Sequence, residues 1–427
     1  MDRPNRVYAV CSEVPPEVVG GLGRYAERMM DPLSRCGVPV EVFGAAGRCR
    51  APRTERSGDV TLHRLASAGL GLVGNPRLPR ALRLLGRTAG LLVFNLRAAV
   101  RILRAEADRS GPGRAGAAVA VHDWMGCPAG ILCQVLGRMP VVFHVHTREL
   151  NAAPRQHGRR GRRRPPHAAV LDALETAQAR MARLIVVPSA TMRDELTARG
   201  WPADRLRVVP HGFEDPELLR LAGLPGEERD RIRSAVRRRY LPGGEGRLVV
   251  FAGRLSPHKG VYTLVRAVPR LVEEHAATRV VLIGAELPQT DDATVLARLV
   301  EETGTAAHVV AGNRFLPSAE VFAHFLAADV CVFPSVYEPF GLVAVEAMAL
   351  ARPVVVGPGY SPEVVGDGAL RCAHDDPEEL ARLLLHCLHD PQASDRLARR
   401  GSAYVRERYS WARTAERTLS AYGEAAR

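Results

Sequence analysis

The stretch DVCVFPSVYEPFGLVAVEAMALARPVVVG, residues 329–357, decides the fold. It opens and closes on short apolar, β-branched runs, "DVCVFPS" and "RPVVVG", which read as buried strands. Between them "EPFG" ends a loop and "LVAVEAMAL" carries the apolar spacing of a buried helix. Strand, loop, helix and strand in that order form the unit from which parallel sheets are built. The same rhythm spreads in both directions. Upstream lie "RVYAVC", "VPVEVF", "AAVAVHD", "PVVFHVH", "RLIVVPS" and "RVVPHG", then "RLVVFAG", "RVVLIGA" and "AHVVAG". With the two runs of the opening stretch they make two sets, each about the size of one doubly wound sheet. The expectation is an α/β chain of two Rossmann-like domains.

The segment between the sets is dense in charge, Pro and Gly and holds no strand. It sets the expected boundaries: an N-terminal domain at 1–215, a junction at 216–245 and a C-terminal domain at 246–405. A last helix, 406–427, is expected to pack back on the first domain. Residues 65–107 are strand-poor, with arginines among Leu, Val and Ala, and read as an amphipathic helix pair covering the first sheet. A membrane-surface role for them is a disfavoured alternative. "PRQHGRRGRRRPPH", 154–167, has six arginines and no apolar anchor. It reads as a solvated loop, or as a contact for an anionic acceptor through Arg162, Arg163 and Arg164.

The 427 residues carry a formal net charge of +13, which points to anionic partners without choosing among them. Eight cysteines without a C-x-x-C pair or zinc spacing read as buried reduced thiols. The N-terminus goes straight into a strand and no uncharged apolar run nears 18 residues, so a cytoplasmic chain is expected. "GPGRAG", 111–116, precedes a strand instead of following one and is no dinucleotide fingerprint, and there is no P-loop.

Four places carry chemistry. The first is the loop before the helical pattern "GLGRYAERM", where Gly20 and Gly21 bring backbone N–H groups toward an anion at a helix N-terminus. The second is the pair of strand ends "HDW" (122–124) and "HVHTREL" (144–150), which set His122, Asp123 and His146 where ligands of open α/β sheets bind. The third is "GRLSPHKG", 253–260, which holds Lys259. It is the only lysine beside 58 arginines, a count that follows from 59 basic residues less one. A compact ammonium suits a phosphate in a space too tight for a guanidinium. The fourth is the opening stretch itself. Phe340, Gly341 and Leu342 present backbone N–H groups at a helix start to a phosphate, and Glu346, one turn in, reaches a ribose. For each there is a plainer reading: a tight turn, structural histidines, a surface lysine, and a capped helix.

Together these stretches resemble the retaining nucleotide-sugar glycosyltransferases of the GT-B type, glycosyltransferase family 4, with glycogen-synthase-like N-terminal motifs. "PPEVVGGLGRY", "HDW", "VVFHVHTRE", "GRLSPHKG", "PSVYEPFGLVAVEAMA" and "SPEVVGDG" occur in the family's order along nearly the whole chain. The resemblance implies two Rossmann-like domains facing each other across a cleft, the first binding acceptor and the second binding donor. It implies that Arg254 and Lys259 neutralise the donor diphosphate, Glu346 binds the ribose and Glu338 contacts sugar hydroxyls. His146 would lie over the sugar, with Asp123 on the acceptor side. No metal or cofactor is implied, since growing charge on the leaving diphosphate is met by cations and helix-start amides.

Two departures stand out. Tyr360 in "GPGYSPE" replaces the second glycine of the family's "GGxPE", and the lysine of the glycogen-synthase glycine loop is missing. A UDP-sugar donor is expected, UDP-GlcNAc first and GDP-mannose after it, with a hydroxyl-bearing small molecule or saccharide as acceptor. Rivals are a glucan synthase of the glycogen or starch type, a GT-B phosphorylase and a sugar-nucleotide epimerase. From another class comes a basic polyanion-binding protein. With 5% aromatics there is no stacking platform for single-stranded nucleic acid, so a nucleic-acid partner is not expected.

Overall fold

The computed structural model describes residues 3–15, 20–46, 53–66, 80–109, 116–148, 166–285 and 292–427. They form two compact units. One comprises the described residues up to 148, then 166–211 and 411–427; the other comprises 212–410.

The first unit is an eight-stranded sheet. Its strands are β1 (Arg6–Val10), β2 (Val40–Ala46), β3 (Arg53–Ser57), β4 (Val60–Ala66), β5 (Ala117–His122), β6 (Val141–His144), β7 (Leu184–Val187) and β8 (Leu206–Val208). The spatial order is β3-β4-β2-β1-β5-β6-β7-β8, and every pair is parallel except the β3–β4 hairpin. All of β5 is buried, as central strands covered on both faces must be.

The hairpin is a difference from expectation, in which 53–66 holds no strand. Its outer strand "RTERS" is exposed or half-exposed throughout and carries no apolar alternation. A hydrophobic pattern reports burial, and a charged edge strand has none to report. The expected helix pair at 65–107 is, among the described residues, the end of β4 and one long helix, Arg80–Ala107. That helix packs on helix Asp123–Gly137 through Asn95, which bonds the Met125 carbonyl at 2.9 Å and accepts from the Ala129 N–H at 3.0 Å. Pro128 sits between those two groups, inside the helix, and a proline there disturbs the ladder that would otherwise use them. The last helix, Trp411–Ala425, belongs to this unit, with Thr414 donating to the Pro210 carbonyl at 2.8 Å.

The second unit holds β9 (Arg247–Ala252), β10 (Thr278–Ile283), β11 (Val309–Ala311), β12 (Val330–Phe333), β13 (Val354–Val356) and β14 (Leu370–Arg371). They lie in the order β11-β10-β9-β12-β13-β14, all parallel. The stretch 216–245, expected as a junction, lies inside this unit. It forms helices Pro216–Gly223 and Gly226–Tyr240, with Leu218, Leu221 and Leu241 in the core. Its charge belongs to the outer faces of these helices, and the few leucines that anchor them are sparse enough to escape a compositional reading.

Candidate active site

In the second unit the loop after β9 leads through Arg254 into a single turn, Pro257–Lys259, and then into helix Val261–Glu274. Gly260 joins turn and helix at φ +71°, where a Cβ would overlap the Pro334 carbonyl. Only glycine lets the turn press against the segment after β12, and Val336 N–H completes that contact by donating to the His258 carbonyl at 3.0 Å. Lys259 is thereby carried to Glu338. Its Nζ lies 2.5 Å from Glu338 Oε2, which also accepts from Ser335 Oγ at 3.4 Å. Both side chains are partly buried, so the pair is less screened than one in open water. Among the described residues Arg254 makes no ion pair and stays half-exposed nearby in sequence.

Gly341, at φ +84°, caps helix Leu342–Ala349, whose first N–H groups have no partners within the helix. Glu346 lies one turn in and is 4% exposed, and Phe340 is buried before the cap. The Tyr360 ring lies against Gly341 on the side a Cβ would occupy. Glu338 N–H donates to the Gly359 carbonyl at 3.1 Å, bridging the two loops. Thus Lys259, Glu338, Gly341, Glu346 and Tyr360 are brought together at the C-terminal ends of β9, β12 and β13. That is where ligands bind in open parallel sheets.

In the first unit the strand ends build a cluster of histidines. His122 Nδ1 and His146 Nε2 are 3.0 Å apart and share a proton. His146 Nδ1 lies 3.4 Å from His211 Nε2, and His144 Nε2 pairs with the Tyr422 hydroxyl at 2.9 Å. Tyr25 packs against all four rings, closest to His146 at 4.4 Å between centroids. Burial pushes His122 and His211 down to about 3, and burial with neighbouring rings holds His144 and His146 well below the usual histidine range. All four are neutral at physiological pH. The nitrogens of His122, His144 and His146 are close enough to suggest a metal. Their rings are stacked within 14–24° of parallel, however, with His122 and His144 face to face at 4.4 Å. Imidazole lone pairs lie in the ring plane, so the face-to-face rings of His122 and His144 do not aim theirs at one ion, and His122 and His146 turn theirs on each other.

The structure also places Asp123 and His122. Asp123 is 3% exposed, and its Oδ1 accepts from the His146 N–H at 2.7 Å and the Thr147 N–H at 3.4 Å. Burial raises its pKa well above the usual carboxylate value against those hydrogen bonds. Its φ of +53° at the helix start turns the carboxyl toward that loop. Asp123 thus holds the start of the His146 loop through its backbone. His122 is also buried, and its ring pairs with that of His146.

Gly20 and Gly21 open helix Gly21–Ser34 with open space around both, but the Gly23 N–H already binds the Glu13 carboxylate at 3.2 Å. Arg162, Arg163 and Arg164 lie outside the described residues. Sequence reasoning missed Glu13, Tyr25, His211, Trp411 and Tyr422. It also missed Arg148, which is buried against Glu175 and pairs with the more exposed Asp172 just after the His146 loop. Arg148 falls within the quoted "HVHTREL", and an arginine in a strand-end motif was the available signal.

Comparison with known proteins settles the family. Residues 19–215 match the family described as Glycosyltransferase Family 4, and residues 246–390 match Glycosyl transferases group 1. A D-inositol 3-phosphate glycosyltransferase of Salinispora arenicola is 31% identical over 95% of this chain and 87% of its own. The chain is a family 4 glycosyltransferase. A glycogen synthase of Mycobacterium tuberculosis is 28% identical over 98% of this chain and 94% of its own. Among solved structures, Anabaena HepE in complex with UDP and glucose shares the fold. It aligns at a TM-score of 0.69 with 18% identity, covering 97% of this chain and 98% of that one. For this glycosyltransferase, no helix among the described residues is long and apolar enough to cross a membrane.

Proposed function

We propose that this glycosyltransferase moves a glucosyl group, with retention and without a metal, from UDP-glucose to a hydroxyl of a small phosphorylated acceptor. The observation that carries the donor side is the Lys259–Glu338 pair beside the N-terminus of helix Leu342–Ala349. A lone ammonium, a nearby free guanidinium and unpaired helix-start N–H groups are the equipment for a diphosphate leaving group. When the donor binds, Lys259 exchanges the Glu338 carboxylate for phosphate oxygens, and Glu338 is released to accept from sugar hydroxyls. The bond from the anomeric carbon to the diphosphate breaks first. The acceptor oxygen bonds to that carbon from the same face, and its proton passes to the departing phosphate. No protein nucleophile is needed.

The neutral state of His146 suits a sugar-facing role, because an imidazolium would repel an oxocarbenium-like centre. Glu346 is assigned to the ribose. The donor sugar departs from the sequence-based preference for UDP-GlcNAc. A relative named for glycogen and a fold neighbour holding UDP and glucose both support glucosyl, and the inositol phosphate relative supports a phosphorylated acceptor.

A thermal-shift panel of UDP, GDP, ADP and their glucose, GlcNAc and mannose conjugates tests the donor, since ligands of the folded state raise its stability. UDP-glucose is expected to shift the melting point most. UDP release in the presence of inositol phosphates, glucose phosphates or glycogen then tests the acceptor, with glycogen the outcome that would favour a glucan synthase. Activity should survive excess EDTA; a strict manganese or magnesium requirement would refute metal-independent catalysis.

A further inference from the structure

Tyr360 stands where the family pattern has a glycine, and the structure gives that exchange a specific consequence. The side chain is 1% exposed, yet its hydroxyl is buried without a hydrogen-bond partner among the described residues. It lies 2.9 Å from the place a Cβ on Gly341 would take, at the cap of helix Leu342–Ala349. Burial and the charges of Glu338 and Glu346 raise the phenol well above its ordinary pKa, so it keeps its proton and acts as a donor. Buried donors without acceptors are costly and uncommon in folded proteins.

Its backbone is bridged to Glu338, and Arg371 Nε donates to its carbonyl at 3.2 Å, so the backbone that carries the ring is held from both sides. The hydroxyl therefore lacks an acceptor until one arrives with a ligand at the Glu338 end of the site.

We infer that the Tyr360 hydroxyl donates a hydrogen bond to one hydroxyl oxygen of the transferred hexose, and that Tyr360 sets which sugar this enzyme accepts. The inference rests on the donor-site reading above and extends it to a residue that the family's glycine cannot replace. A site built to hydrogen-bond a sugar hydroxyl discriminates sharply against a sugar lacking it, because the buried partner is then left unpaired.

The test is Tyr360→Phe in the full chain, with UDP-glucose and UDP titrated by calorimetry. The variant should bind UDP-glucose about tenfold more weakly and UDP within twofold of wild type. The unliganded variant should melt no lower than wild type, since it loses a group that had no partner. UDP-glucose analogues deoxygenated at one sugar position at a time complete a double-mutant cycle. One of them should bind wild type as weakly as UDP-glucose binds the variant, with no further loss when the two changes are combined. Unchanged UDP-glucose affinity in the variant overturns the inference. So does an equal loss for UDP and UDP-glucose with a lowered melting point, which is the mark of a structural tyrosine. A wild-type protein that binds neither UDP nor UDP-glucose defeats the donor reading itself, whatever the variant does.

Discussion

Replacing Lys259 by alanine removes the ammonium that the structure holds 2.5 Å from Glu338 and next to the start of helix Leu342–Ala349. In the unliganded protein the cost is the loss of one partly buried ion pair. Glu338 keeps Ser335 Oγ as a neighbour, and its side chain is 13% exposed, so water can reach it. A loss of about 1–3 kcal/mol in stability follows, between the small worth of exposed pairs and the large penalty of stranding a fully buried charge. On the proposed mechanism the effect on turnover is larger, because the ammonium meets charge that grows as the diphosphate departs. Removing one preorganised group of this kind typically lowers kcat by about 10²–10³-fold. Lys259→Arg should recover only part of this, since a planar fork cannot place its charge at the point the short turn Pro257–Lys259 defines. The assay is UDP release from UDP-glucose, with melting temperature and UDP affinity measured alongside to separate folding, binding and chemistry. A folded Lys259→Ala protein within tenfold of wild-type kcat would refute the leaving-group role.

Glu346→Ala should weaken UDP itself, by about tenfold for the loss of a charged hydrogen-bond partner to the ribose; unchanged UDP affinity by calorimetry would remove that role. The histidine cluster predicts a pH effect on stability. His122 and His211 are depressed to about 3 when folded, against 6.5 in the unfolded chain, so the unfolded state binds protons first as pH falls. Stability is full above about 6.5 and declines toward 3, by up to about 1.4 kcal/mol per pH unit for each histidine. Thermal melts between pH 7.5 and 4.5 should show the decline, and His122→Phe should flatten it; a flat wild-type profile would contradict neutral burial.

Much of the donor site was legible because its signals are local. Lys259 is unique in composition, and the two glutamates of the opening stretch sit on one loop and the helix that follows it. Gly341 is written into "EPFG", so strand, cap and helix can be read from neighbours in the chain. The strand ends carrying His122 and His146 were equally readable from the apolar runs before them. What those residues do was not. Whether Asp123 faces a ligand or the backbone depends on a φ of +53° and on an amide 23 positions away.

The sequence by itself determined two parallel α/β units, the succession of their main strands along the chain and the loops that carry the candidate site residues. Hydrophobic period and punctuation are properties of short windows, and those windows do not change on folding. Only the tertiary structure decided the partners. His146 meets His211 across 65 residues, His144 meets Tyr422 across 278, and the Tyr360 ring fills the space that Gly341 leaves. Such contacts are fixed by how strands cross over and which helix closes the sheet. A buried side chain acquires its charge state and its hydrogen bonds only from whatever is packed against it.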